Sequence, residues 1–164
     1  MSAEGMIPPI RKQLTVAAPI ERAFRVFTAR MGTWWPRTHH TGSSPMVDCV
    51  VEPKPQGRWY ERCEDGSESE WGKVLVWEPP RRLVLAWQLG ADFQYDPRLV
   101  TEVEVVFTEL APGSTRVDFE HRNLERFGAE AAGKLAPMMD EGWGQILGHY
   151  VAEGLAADDA RASA

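Results

Sequence analysis

Between residues 47 and 121 the chain breaks into short runs of alternating character, each closed by residues that turn the backbone. This succession limits the fold more than any other feature of the sequence. The runs read as strands at 47–52, 58–63, 70–78, 82–88, 101–110 and 114–121. The breaks between them are sharp: Pro53-Lys54-Pro55-Gln56-Gly57, Glu64-Asp65-Gly66-Ser67, Pro79-Pro80 and Ala111-Pro112-Gly113. Asp65-Gly66 and Pro112-Gly113 are hairpin-turn signals. Parallel strands need a crossover of about a dozen residues or more, so connections this short predict antiparallel neighbours. Side-chain parity is legible too. Val103, Val105 and Phe107 share one face, with Glu102 and Glu104 on the other; Val117, Phe119 and His121 face opposite to Arg116, Asp118 and Glu120. One covered and one wet face is the pattern of an antiparallel sheet packed on a single layer.

Helical periodicity brackets this region. A strand at 10–17 leads into Pro19, suited to a first helical position, and Glu21, suited to the helix dipole. Ile20, Ala23, Phe24 and Phe27 then form an apolar stripe, with Arg30 and Gly32 as last turn and stop. A final helix is predicted to start at Pro137, carrying Met139, Trp143, Ile146, Leu147, Tyr150 and Val151 on one face. Gly142, Gly144 and Gly148 weaken its intrinsic propensity by up to about 1 kcal/mol each, so tertiary packing has to hold it. The order strand, helix, six strands, long helix predicts an α+β domain whose sheet curls around the terminal helix. No linker divides residues 1–164; the ordered core is expected at about 8–154, with a frayed tail beyond Gly154.

Composition excludes several classes of partner. The net charge of −6 is spread without a basic cluster, which argues against nucleic acid and anionic membrane. No stretch approaches a membrane span, and Met1-Ser2-Ala3-Glu4-Gly5 lacks the pattern of a signal peptide; a cytoplasmic protein is expected. Cys49 and Cys63 lie in strands and read as buried free thiols, a disulfide being the alternative. Seven tryptophans are many for 164 residues.

Taken together, the chain resembles the Bet v 1/START-like (SRPBCC) superfamily, in the branch related to the activator of Hsp90 ATPase homologue 1. The resemblance rests on residues 10–16 leading into Pro19-Ile20-Glu21-Arg22-Ala23-Phe24, on Met31-Gly32-Thr33-Trp34-Trp35-Pro36 with His39-His40 after it, and on Gly57-Arg58-Trp59-Tyr60-Glu61. Glu70-Trp71-Gly72-Lys73-Val74, Val76-Trp77-Glu78-Pro79-Pro80-Arg81-Arg82-Leu83, residues 101–107 and 115–121, and Gly142-Trp143 complete it. It implies a helix-grip fold with a cavity between sheet and long helix. Members bind lipids, hormones or polyketides, cyclise them, or act on a chaperone, so function has to come from the site.

On this reading Trp34 and Trp35 stand at the cavity mouth, Trp59, Trp71, Trp87 and Phe107 on the sheet wall, and His121 and Trp143 deeper, with His39 near the rim. Aromatic rings supply stiff apolar contact area, and the indole N–H orients a ligand. Ordinary core packing is the alternative for each. The Trp34–His40 run is either a lid or a plug for a sheet edge. His121 points to the covered face as a general base, a ligand donor or a satisfied core group. Glu61 shares parity with Trp59, and is either an inward carboxylate able to act as an acid or half of a surface pair with an arginine. No histidine shows a metal-ligand spacing, and neither metal nor cofactor is expected. Phe93 and Tyr95 are read as far rim, dimer contact or local packing. The leading function is binding of a small apolar or aromatic molecule. A cyclase or aromatase using the same cavity and an Hsp90-type co-chaperone domain are the alternatives, and exposed sheet edges make a homodimer an expectation to test.

Overall fold

The alternation along the strands is realised as a continuous sheet in the computed structural model, which describes residues 7–156. The strands are β1 (Ile10–Val16), β2 (Met46–Val51), β3 (Arg58–Cys63), β4 (Glu68–Glu78), β5 (Arg82–Trp87), β6 (Thr101–Ala111) and β7 (Ser114–Arg122). Their order is β1-β7-β6-β5-β4-β3-β2, every neighbouring pair antiparallel, so the first strand closes against the last. On β6 and β7 the predicted parity holds: Val103, Val105, Phe107, Val117, Phe119 and His121 are all buried. The outer face carries charge ladders such as Arg122 with Glu102, Glu104 and Glu120. These pairs are partly exposed and each contributes little.

Two departures from strict alternation shape the interior. Trp59 pairs with Gly72 but Tyr60 pairs with Glu70, so Trp71 is an extra, bulged residue with no partner opposite it. The bulge turns Trp71 inward beside Gly72, and both are buried. A second irregularity, between Val74 and Val76, restores the phase that sends Trp77 onto Phe24, their rings 5.1 Å apart. Gly72 has a steric reason: a Cβ there would lie 1.7 Å from the Ala86 carbonyl oxygen.

Helix α1 (Ile20–Thr28) carries the predicted stripe and also buries Val26 and Thr28. Instead of running on to Gly32, the chain makes a second short helix, α2 (Met31–Trp34). The long helix α3 (Ala129–His149) begins eight residues before the predicted start, and Pro137 lies inside it. Four of the eight intervening residues are alanine, and Glu130, Lys134 and Leu135 are also good helix formers that outweigh Gly133; Ala132 and Leu135 extend the buried stripe. Burial of Ile146 and Leu147, about 1.5–3 kcal/mol each, offsets the helix glycines. After His149 the helix widens into a π turn over Tyr150–Leu155. That shift rotates Val151, predicted to face inward, out to 41% exposure, while Leu155 is buried. A Cβ at Gly154 would lie 2.5 Å from the Trp34 ring, so glycine permits the close approach. Residues 1–6 and 157–164 lie outside the described residues, and with them the leader reading and most of the frayed-tail reading. Among the described residues no helix is long and apolar enough to cross a membrane.

Candidate ligand-binding site

The tryptophans divide the core into two ends. At one end Trp34 packs on Phe27 and Tyr150, with ring centroids 5.3 Å away in both cases, and donates its indole N–H to the Val26 carbonyl at 2.8 Å. Phe107 belongs here too, against Phe24 and Phe27. Neither ring stands where the sequence reading put it: Trp34 is 1% exposed and not at a mouth, and Phe107 borders the larger groove and neither aromatic recess described below. Trp34 and Trp35 are both buried because α2 ends between them. Trp35 already has extended backbone, with ψ 129°, so the two rings turn into different ring clusters while staying in tilted contact, centroids 6.0 Å apart.

At the other end Trp35, Trp59, Trp71, Trp87 and Trp143 pack edge to face or tilted, with centroids 5.0–6.2 Å apart. Ring contacts fill much of the space that the sequence reading left open as a cavity. Trp59 is wholly buried behind the others, its Nε1 facing the Cys49 thiol without a well-formed hydrogen bond.

What remains open is a recess of about 290 Å³ under the loop that follows α2. Its apolar wall is Trp35, Trp71, Trp87, Leu89, Phe93 and Ile146, and its polar side is Thr38, His39, His40 and Thr41. No Asp, Glu, Lys or Arg lines it. A smaller recess of about 160 Å³ abuts it, sharing His39, Trp87, Phe93 and Ile146 and adding Met138, Met139, Gly142 and Trp143. Phe93, in the β5–β6 connection, is 38% exposed and held at φ +59°, so the mouth has an exposed aromatic edge. A larger groove of about 920 Å³ lies between the start of α1 and residues 78–82, but it is open, and Glu21, Glu78, Arg81, Arg82 and Glu109 share its lining with apolar residues such as Ile20 and Phe107. An apolar ligand is better served by the aromatic recess.

Glu61 faces inward and is fully buried. Its Oε1 accepts from the Thr41 backbone N–H at 2.5 Å, the Thr41 hydroxyl at 3.1 Å and the Trp71 indole N–H at 3.0 Å; the Cys63 thiol donates to Oε2 at 3.3 Å. Burial alone would raise its pKa. The donations from Thr41, Cys63, Trp71 and the Gly42 backbone outweigh burial and hold the carboxyl below its ordinary value, so it is a carboxylate at neutral pH. The same carboxylate lies 3.5 Å from His40 Nδ1, and thereby ties the recess loop to β3. Gly42 fits this cradle because a Cβ there would meet the Cys63 sulfur at 2.4 Å.

His121 sits beneath the recess, fully buried. The Trp143 indole N–H donates to His121 Nδ1 at 3.1 Å, so Nδ1 is the bare nitrogen, since indole nitrogen only donates. The proton is therefore on Nε2, which donates to Thr101 Oγ1 at 2.8 Å; that hydroxyl passes its own proton to the Trp87 carbonyl at 3.2 Å. Both ring nitrogens are engaged in one polarised chain, and burial lowers the imidazole pKa to about 3. Of the three readings of His121, the geometry matches the satisfied core group. Both cysteines are free and buried; burial raises the Cys49 thiol well above its ordinary pKa, and burial with the neighbouring Glu61 raises that of Cys63. Among the described residues no three His, Cys, Asp or Glu side chains converge in a metal-ligating cluster.

The sequence reading named Trp35, His39, Trp71 and Trp87, which border the main recess, and Trp143, which borders the smaller one. It gave His40 only as the end of the 34–40 lid-or-plug run and Phe93 only as one candidate rim, and did not single out Thr41, Leu89 or Ile146 for the site. Nothing in the spacing of His40 and Glu61 announces their approach, because the loop that joins them has no period to read.

The family model for activator of Hsp90 ATPase homolog 1-like proteins matches residues 17–153. The chain belongs to that family. No curated protein matches it. Among solved structures, the anthrahydroquino-gamma-pyrone synthase Txn09, complexed with SUM, is 37% identical over 83% of this chain and 89% of its own, with a TM-score of 0.58. CalC from Micromonospora echinospora, described as a self-sacrificing resistance protein, is 33% identical over 87% of this chain and 91% of its own, with a TM-score of 0.66. A Rhodobacter sphaeroides protein of 23% identity, over 91% of this chain and 93% of its own, has a TM-score of 0.59 and shares the helix-grip fold. Fold and relatives together support a ligand-binding or cyclase-like role for this member of the family.

Proposed function

We propose that the protein binds a flat, neutral, polycyclic aromatic molecule across the two adjoining recesses beneath the 35–42 loop. The observation that carries this reading is the composition of the wall: four aromatic rings and two aliphatic side chains on one side, neutral hydroxyls and imidazoles on the other, and no charged side chain. Such a wall rewards ring contact and penalises an ionised ligand, whose charge would be left without a partner. The synthase relative, whose description names a fused-ring pyrone product, supports the same ligand class.

Gly142 supplies the test. It lines the smaller recess on α3, and a Cβ added there meets nothing within 4 Å. A Gly142→Phe variant should therefore fold while filling the space a ligand would enter. With a hydroxyanthraquinone as probe, wild type should show saturable quenching of tryptophan emission. Gly142→Phe should lose that response with no loss of thermal stability, and a linear fatty acid should give none in either protein. Equal quenching in the two proteins would place the ligand elsewhere.

A further inference from the structure

Of the two histidines on the loop over the recess, His40 is the one that lies against a buried carboxylate. Its Nδ1 stands 3.5 Å from Glu61 Oε2, while the ring itself forms part of the recess wall with 30% of the side chain exposed. Glu61 is fixed by four donors from Thr41, Trp71 and Cys63, so it cannot follow the imidazole and instead sets its direction. With Nδ1 turned to the carboxylate, Nε2 is the nitrogen left for a bound molecule. An imidazole backed by a carboxylate, at the edge of an otherwise apolar and uncharged space, is the arrangement of a general base. His121, by contrast, has both nitrogens occupied.

From this juxtaposition we infer that His40 is a proton-transfer residue and Glu61 its positioning residue, acting on aromatic ketones that carry a C–H next to the carbonyl. The inference rests on the binding reading above and adds chemistry to it. The neutral ligand class follows from the uncharged wall, and the acidic C–H from what an imidazole at neutral pH is able to remove. In the step, the His40 Nε2 lone pair takes the proton. The C–H electron pair becomes the carbon–carbon double bond of the enolate, and the carbonyl π pair moves onto oxygen, where His39 and Thr38 on the same side of the recess are the available polar neighbours. The imidazolium exchanges its proton with solvent and returns one to carbon, so the net reaction in deuterated water is C–H to C–D with no oxidant or reductant.

The test uses 2-tetralone, a benzo-fused cyclic ketone, with exchange at its benzylic α carbon in deuterated water followed by proton NMR and binding followed by tryptophan emission. Wild type should accelerate exchange. His40→Ala should lower the catalysed rate by about a hundredfold or more, far beyond any change in the dissociation constant, and added imidazole should restore part of the rate. Glu61→Gln, which keeps the shape and the acceptor oxygen, should also lower the rate without weakening binding, a split that a loosened loop would not give. Saturable binding with exchange at the background rate, or a His40→Ala protein as fast as wild type, overturns the proton-transfer role and leaves the binding reading standing. Absence of binding by both 2-tetralone and the anthraquinone overturns the binding reading and this inference with it.

Discussion

His121 carries more of the fold's electrostatic vulnerability than its position on a strand suggests. The chain Trp143 Nε1–H to His121 to Thr101 to the Trp87 carbonyl works only with a neutral imidazole protonated on Nε2. In the unfolded chain the ring titrates near its ordinary value of 6.5; in the folded protein burial lowers that to about 3. Above about pH 6.5 the ring is neutral in both states and its contribution is complete. As pH falls from 6.5 towards 3 the unfolded chain binds the proton first, and stability declines by up to about 1.4 kcal/mol per pH unit before levelling off. Glu61 is depressed as well, so its contribution is present above the carboxylate range and is lost only as pH falls through it. The window between pH 4.5 and 6.5 therefore isolates the histidines. His39, also lowered by burial first and then by His149, is unchanged in a His121 variant. Urea melts across this window should show a falling stability for wild type and a flatter profile for His121→Gln. That variant should also be less stable at pH 7 by about 1–3 kcal/mol, because a buried donor loses its acceptor. An identical slope in the two proteins would mean that His121 is not held neutral by burial.

At the scale of elements, strands were read more truly than helices, and the reason is physical. Period-two alternation on β6 and β7 is fixed by one buried and one wet face, so parity at Val103, Phe107, Val117 and His121 is stated by the sequence itself. On β4 the bulge at Trp71 breaks that count. Its cause lies on another strand, where the Ala86 carbonyl excludes any side chain from position 72. Strand parity alone therefore did not give the inward turn of Trp71; its place on the recess wall came from the family resemblance. The same holds for Glu61, whose direction parity allowed but whose donors come from the non-periodic 41–42 loop. Helix α3 departs in the other direction: a first turn tolerates proline, which makes Pro137 a candidate start, yet the stretch before it propagates the helix through the proline. Pro137 is exposed and lacks the N–H that the Gly133 carbonyl would accept. Pro137→Ala should accordingly raise the unfolding free energy by about 1–3 kcal/mol, read as a higher midpoint in urea with unchanged slope. A destabilised variant would show that proline's restriction of the unfolded chain outweighs its cost in the helix.

For the whole molecule, the two aromatic ends of the core divide labour. The end built from Phe24, Phe27, Trp34, Phe107 and Tyr150 ties α1, β6 and the π turn together, with Tyr150 donating to the Ala23 carbonyl at 2.7 Å. The tryptophan end leaves the recess open and carries the proposed ligand contacts. A ligand held only by the second end stabilises the folded state by about 2.7 kcal/mol at a hundredfold excess over its dissociation constant, which in a chain of this size is a rise of about 5–10 °C in Tm. The two ends meet at the Trp34–Trp35 contact, with ring centroids 6.0 Å apart, but Phe107 borders neither recess, so its loss and the ligand's contribution should add closely. Phe107→Leu should therefore lower the Tm of the free protein, yet keep the full rise on adding hydroxyanthraquinone. Trp87→Leu, which removes a ring bordering both recesses, should abolish most of the rise. Thermal melts of the three proteins with and without the probe decide the matter. Loss of the ligand-induced rise in Phe107→Leu, with its retention in Trp87→Leu, would move the binding site to the opposite end of the core.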